Sequence, residues 1–241
     1  MTTVLSLQNV CLDYKSRTGA FRSFRHRALD DITFDIEQGE TFGVLGKNGS
    51  GKSSLLLVLA GLVAPSSGKL LMPDGAKSRS LLTLGLGFRP DLTGADNVVL
   101  SLVLQGKSKK EARALLPSIE EFSEIGEFFR QPVRTYSTGM RARLGFATGI
   151  CSEVDILLID EVLSVGDAQF RQKAENVMME RLGGHQTVIF VSQAPPQIES
   201  LCGRALWIHD GKIESLDTAE HTANAYSQFA RQQNFAQKSD H

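Results

Sequence analysis

The sequence predicts an α/β fold: a core sheet covered on both faces, an antiparallel β subdomain, and an inserted helical subdomain. Three observations carry this. The runs TFGVLG (Thr41 to Gly46), DILLID (Asp155 to Asp160) and TVIFVS (Thr187 to Ser192) are short and almost continuously apolar, as strands of a doubly covered parallel sheet are. Helical stretches lie between them, as parallel βαβ connections require. The first 40 residues differ: VLSLQNVCLDY and ALDDITFDIEQGE alternate more, the pattern of antiparallel strands.

The remaining elements follow in chain order. Between Lys15 and Arg27 lies KSRTGAFRSFRHR, with five Lys/Arg residues. It reads either as a solvated hairpin loop or as a patch facing anionic lipid headgroups or a membrane partner. Residues 95–130 are helix-rich, and SKKEARALL has Ser108 as an N-cap with Glu111 three residues on. The helical subdomain is expected over about 92–150, within a single domain spanning 1–241. In ALWIHDGKIES, Asp210-Gly211 separates two strand-like runs, a strong hairpin signal. Residues from about 218 to 237 read as a polar amphipathic helix packed on the outside.

Composition narrows the function classes. A formal net charge of −1 gives no reason to expect a nucleic acid partner. Cys11, Cys151 and Cys202 form no CxxC pair and suggest reduced thiols in a cytosolic protein. Met1-Thr2-Thr3 begins no signal peptide. The longest apolar run, about Leu55 to Pro65, falls short of the roughly 20 residues that cross a bilayer. Work at a membrane would need a partner that spans it.

The strongest chemical signal is GKNGSGKSS, comprising Gly46, Lys47, Asn48, Gly49, Ser50, Gly51, Lys52, Ser53 and Ser54. It fits G-x-x-x-x-G-K-[ST] and lies between a buried strand and an apolar helix. Its glycines let backbone N–H groups wrap phosphates, and the helix turns its positive end toward the same anion. Lys52 can reach the β- and γ-phosphates, and Ser53 can bind Mg²⁺. The second signal is DILLIDE, where Asp160 and Glu161 end a buried run at the edge where open α/β sheets bind ligands. Asp160 can hold Mg²⁺ and Glu161 can accept a proton from an attacking water. The third is YSTGMRARLGFA, in which Ser137 caps a helix running from about Thr138 to Cys151.

This order of motifs resembles the ATPase subunit of ABC transporters, over nearly the whole chain. YSTGM, GFRPDLTGADN (Gly87 to Asn97) and DEVLSVGD (Asp160 to Asp167) resemble further the ATPases that export bacterial capsular polysaccharide, O-antigen or teichoic acid. The resemblance implies a P-loop ABC-ATPase core and ATP with Mg²⁺ as cofactors. It implies a second copy of the chain as partner, with Ser137 and Gly139 of one subunit touching the γ-phosphate on the other's Lys52. Asp167 would fall in the loop crossing that interface, and Tyr14 would stack on adenine. Leu92-Thr93-Gly94 would lie near an integral membrane permease, placing the protein at the cytoplasmic face of the cell membrane. Some O-antigen export ATPases carry an extra C-terminal glycan-binding domain. The sequence ends at His241, too soon for one, so glycan selectivity is expected elsewhere.

Two departures from the family pattern stand out. No glutamine occurs between Gln38 and Gln105, where one usually senses Mg²⁺ and the attacking water. At the end of the last core strand, Gln193 stands where a histidine usually touches the γ-phosphate. Its amide can donate a hydrogen bond but cannot be protonated. Alternatively, Gln193 only ends the strand before a turn at Pro195-Pro196. Three other functions stay open: a regulatory ATP-binding subunit with little turnover, an ABC ATPase for another substrate, and a non-transport ABC protein. The last usually has tandem cassettes or long coiled insertions, and a plain phosphate-loop kinase would not need YSTGM.

Overall fold

A computed structural model describes residues 2–17, 23–73, 78–82, 87–152, 154–160, 167–182 and 186–239. The strands are β1 (Thr3–Arg17), β2 (Ser23–Glu37), β3 (Thr41–Leu45), β4 (Ser67–Leu71), β5 (Arg79–Leu82), β6 (Ile156–Ile159), β7 (Thr187–Ser192), β8 (Arg204–His209) and β9 (Lys212–Thr218). The helices are α1 (Lys52–Leu59), α2 (Gly94–Leu104), α3 (Lys109–Ala114), α4 (Leu116–Ser123), α5 (Thr138–Ile150), α6 (Ala168–Leu182), α7 (Pro195–Leu201) and α8 (Ala219–Ser239). Two compact units result: residues 1–77 with 185–241, and residues 78–184.

In the first unit, β3 pairs in parallel with β7 on one side and β8 on the other, and β9 folds back antiparallel on β8. Every residue of β3 and β7 is buried, which accounts for their unbroken apolar sequence. The Asp210-Gly211 turn joins β8 to β9, as the sequence predicts. A second sheet has the order β2-β1-β4 and is antiparallel throughout. β2 shows the period of two: Ile32, Phe34 and Ile36 are buried while Thr33 and Asp35 are exposed. Phe34 stacks on Phe42 of β3 with ring centroids 5.3 Å apart, joining the two sheets through their apolar faces.

α8 runs along β8 and α7 with Ala219, Thr222, Ala223 and Tyr226 buried, an i, i+3, i+4, i+7 stripe on an otherwise polar helix. The Pro195-Pro196 pair is not a turn. It opens α7, with proline at the first helical positions, where the missing N–H costs nothing and the fixed φ suits a helix.

The second unit holds the parallel pair β5–β6 and the helices α2 to α6. Val98, Leu102, Ile119, Phe129, Tyr136 and Leu144 build its core. Phe122, Phe146 and Phe170 form a second cluster, with centroids 6.0–6.2 Å apart. Ser108 and Glu111 form a full capping box at α3. At α2, Thr93 Oγ1 accepts from Asp96 N at 3.0 Å. Asn97, 1% exposed, fixes the preceding loop. Its Oδ1 accepts from Arg89 N at 2.7 Å, and its Nδ2 donates to the carbonyls of Arg89, Leu92 and Thr93.

Candidate nucleotide site

β3 delivers the chain into the loop Gly46 to Ser54, and α1 carries it away. α2, α3 and α5 each start with a side-chain cap, from Thr93, Ser108 and Ser137. α1 has no side-chain cap and no acidic residue in its first turn. Its N–H groups and positive end therefore stay available to an anion. Gly49 has φ 81° and Gly51 has φ 111°, which put the backbone in the left-handed region that a close wrap demands. Gly51 also nears the Ala28 carbonyl so closely that a Cβ there would lie 2.6 Å from that oxygen.

Lys52 is 7% exposed, and its Nζ donates to Gly46 O at 2.6 Å and Lys47 O at 2.7 Å. The ammonium is thus centred under the loop by the backbone oxygens of the loop itself. Asn48, Gly49 and Ser53 are exposed, and Ser50 is buried, its Oγ without a partner among the described residues. Ser54 Oγ lies 3.3 Å from the Tyr14 hydroxyl, so β1 brings this aromatic to the first turn of α1. Tyr14 is 41% exposed, which leaves ring surface for a planar ligand.

Gln193 reaches the same edge. Leu45 of β3 is in register with Ser192 of β7, so Gly46 and Gln193 follow directly from neighbouring parallel strand ends. Ser192 ties the strand end to the start of α7. Its Oγ is fully buried, donates to Gln197 Oε1 at 2.7 Å and accepts from Ala194 N at 3.0 Å. Gln193 is half-buried.

The other predicted residues lie in the second unit. Asp160 follows the fully buried β6. Glu161 lies outside the described residues, as do 83–86, the segment after β5. Ser137 Oγ accepts from Met140 N at 3.1 Å, as an N-cap should. Gly139 is open, with only Ser137 Oγ near a Cβ position, at 3.8 Å. Tyr136 anchors this helix start: it is 5% exposed, and its hydroxyl donates to Phe128 O at 2.5 Å. Asp167 caps α6 by accepting from Phe170 N at 3.0 Å and is paired with Arg143. The Phe170 N–H, with the Arg143 charge, holds its carboxyl below the ordinary carboxylate range.

The basic stretch 15–27 is less cationic than it reads. Arg25 and Arg27 bind Asp13 at 2.7 and 3.2 Å, and Arg27 also binds Asp30 at 2.8 Å. These two charges are compensated within the hairpin, and residues 18–22 lie outside the described ones. Sequence reasoning missed Asp13, Asn97 and Ser192. Only Asn97 left a signal, a polar residue following Asp96 just inside a helix start.

Residues 29–164 match the family model for the ABC transporter. The chain is 41% identical over 204 residues to the teichoic acids export ATP-binding protein of Listeria monocytogenes, covering 85% of this chain and 60% of that one. It thus spans about three fifths of that relative's length. It is 39% identical to the O-antigen export system ATP-binding protein of Klebsiella pneumoniae, covering 85% of this chain and 82% of that one. A solved dimeric cassette with ADP and phosphate superposes with a TM-score of 0.71 at 21% identity, covering 89% of this chain and 98% of that one. An ATP-binding subunit of an ABC transporter gives 0.73 at 18% identity, covering 93% and 94%. These two establish the fold, a P-loop cassette with its antiparallel β subdomain.

Proposed function

Because the chain belongs to the ABC transporter family, we propose that residues 1–241 act as one nucleotide-binding domain that hydrolyses ATP to export a bacterial surface polysaccharide through a separate permease. One observation supports the polymer class: over 85% of the chain in each case, it is about 40% identical to a teichoic acid and to an O-antigen export protein. No helix among the described residues is long and apolar enough to cross a membrane. A permease therefore provides the path, and docking to it holds the protein at the cytoplasmic face of the membrane.

The residues fit the chemistry. Lys47 to Ser54 wrap the phosphates, Lys52 supplies charge from below, and Tyr14 stacks on adenine. Among the described residues no His/Cys/Asp/Glu cluster could hold a metal alone. Mg²⁺ suits such a site, because it commonly keeps waters and takes phosphate oxygens with only one or two protein ligands, here Ser53 and Asp160. When bound, Mg²⁺ neutralises charge that develops on the phosphates. Glu161 takes the proton of the attacking water, and Gln193 donates to that water or to the γ-phosphate. Ser137 and Gly139 of a second copy contact the γ-phosphate, so ATP closes a head-to-tail dimer and hydrolysis reopens it. The loop at Leu92-Thr93-Gly94, in the helical subdomain of 92–150, meets the permease.

The test is genetic and biochemical. Loss of the gene should leave polymer inside the cell and none on its surface. Wild type should restore export, and Glu161→Gln should not. Normal surface polymer in the deletion strain would overturn the reading. Gln193 and the absence of glutamine between 38 and 105 favour one alternative, a regulatory ATP-binding subunit. Negligible ATPase activity in the assembled transporter, with export intact, would select it.

A further inference from the structure

The phosphate loop is held from a side that its own motif does not account for. Lys47, the loop's second residue, extends its side chain to α8, where Nζ donates to Gln233 Oε1, 186 positions along the chain. The same ammonium lies 5.7 Å from the centroid of the Phe229 ring. Phe229 is itself fixed, with its centroid 4.9 Å from Trp207 and 4.9 Å from His209, both on β8. Tyr226 closes the cluster at 5.7 Å from Trp207. The β8–β9 hairpin grips the loop as well: Gly211 N donates to Ser50 O at 2.9 Å. All of these residues belong to the first unit.

Neither partner of Lys47 carries a negative charge. Among the described residues no carboxylate lies within ion-pair distance of it. An amide oxygen and an aromatic face orient an ammonium without neutralising it. A four-carbon side chain that would otherwise sample many rotamers is held at the loop with its charge intact. We propose that Phe229 and Gln233 are positioning residues for nucleotide binding: α8 presents Lys47 to the phosphates, and the ordering of that side chain is complete before ATP arrives. The inference rests on the family assignment and the phosphate loop, not on which polymer is exported, so it is read on the protein alone.

A double-mutant cycle on the full chain tests it, with ATP affinity measured by calorimetry. Gln233→Leu should weaken ATP binding roughly threefold to tenfold, the size of one lost hydrogen bond of modest net strength. In a Lys47→Met background the same change should have less than about a twofold effect, because contacting residues couple. Phe229→Leu should behave alike. Gln233→Glu keeps an acceptor but neutralises the ammonium, so it too should weaken binding, and more at low salt than at high salt. A thermal midpoint for Gln233→Leu close to the parent's would exclude loss of fold as the cause. Equal weakening in both Lys47 backgrounds, no weakening at all, or tighter binding by Gln233→Glu would each overturn the proposal. Failure of the parent to bind ATP would remove the nucleotide reading itself.

Discussion

Two glycines two residues apart in the same loop make a sharp test of its geometry. Gly49→Ala and Gly51→Ala both place a side chain on left-handed backbone, at φ 81° and 111°. That conformation costs an L-residue about 1–2 kcal/mol, and the stiffer unfolded chain returns roughly 0.4–1 kcal/mol. Gly49→Ala ends there, because no atom of the described residues lies within 4 Å of its new Cβ. Its net cost should be about 1 kcal/mol or less. Gly51→Ala goes further. Its Cβ would sit 2.6 Å from Ala28 O, 3.2 Å from Ile208 Cδ1 and 3.3 Å from Leu29 Cδ2. Ala28 is buried in β2, so its carbonyl cannot swing away, and overpacking of this kind adds roughly 1–3 kcal/mol. The sum is about 1–4 kcal/mol, or roughly 2–15 °C in Tm for a chain of this size. Thermal unfolding followed by circular dichroism, without nucleotide, reads both variants. Equal shifts in the two, or a Gly51→Ala midpoint within 2 °C or so of the parent, would refute the packing argument.

Three further outcomes are expected. Lys52→Ala should abolish hydrolysis and weaken ATP binding, because it removes charge-assisted bonds of about 1.5–3 kcal/mol each; near-normal turnover in an ATPase assay would reject the loop's role. Gln193→Ala should slow hydrolysis roughly threefold to tenfold, and Gln193→His should keep or raise it, with ATP affinity little changed in both. Equal rates per folded molecule would mean that Gln193 only ends a strand. Asp13 predicts an acid limb of stability. Hydrogen bonds from Arg25 and then Arg27 hold its carboxyl at about 2, against an ordinary 3.8. A depressed folded-state pKa stabilises above the unfolded value and is lost as pH falls through the folded one. Melting curves of the parent and Asp13→Asn should therefore differ at neutral pH and converge between about pH 4 and pH 2; a constant difference across that window would exclude the pair as its source.

Much of the fold was legible because burial on both faces leaves a plain trace. β3, β6 and β7 read directly from their apolar runs, and the phosphate loop from spacing that chemistry dictates. β4 left no such trace, since every residue of it is at least partly exposed, so its sequence lacks an apolar face. The alternative reading of Gln193 puts a turn at Pro195-Pro196, because proline commonly interrupts structure, yet the same fixed φ serves a helix start. The part played by Ser192 at the end of β7, where its buried hydroxyl bonds Gln197 and Ala194, left no trace in the sequence. A short hydroxyl that bonds two residues onward has no periodicity to betray it. The hold of α8 on Lys47 was invisible for a related reason: nothing local connects residues 186 positions apart.

Asn97 makes the loop before α2 something other than a loop in mechanical terms. One amide spans Arg89, Leu92 and Thr93 at once, so bending that stretch means breaking several partly buried bonds together. A push applied at Leu92 therefore has no spring to compress and displaces the whole of α2 as a rigid stop does. An Asn97→Leu chain could keep its helix and still lose that stiffness, idling like an engine whose drive shaft has been replaced by rope.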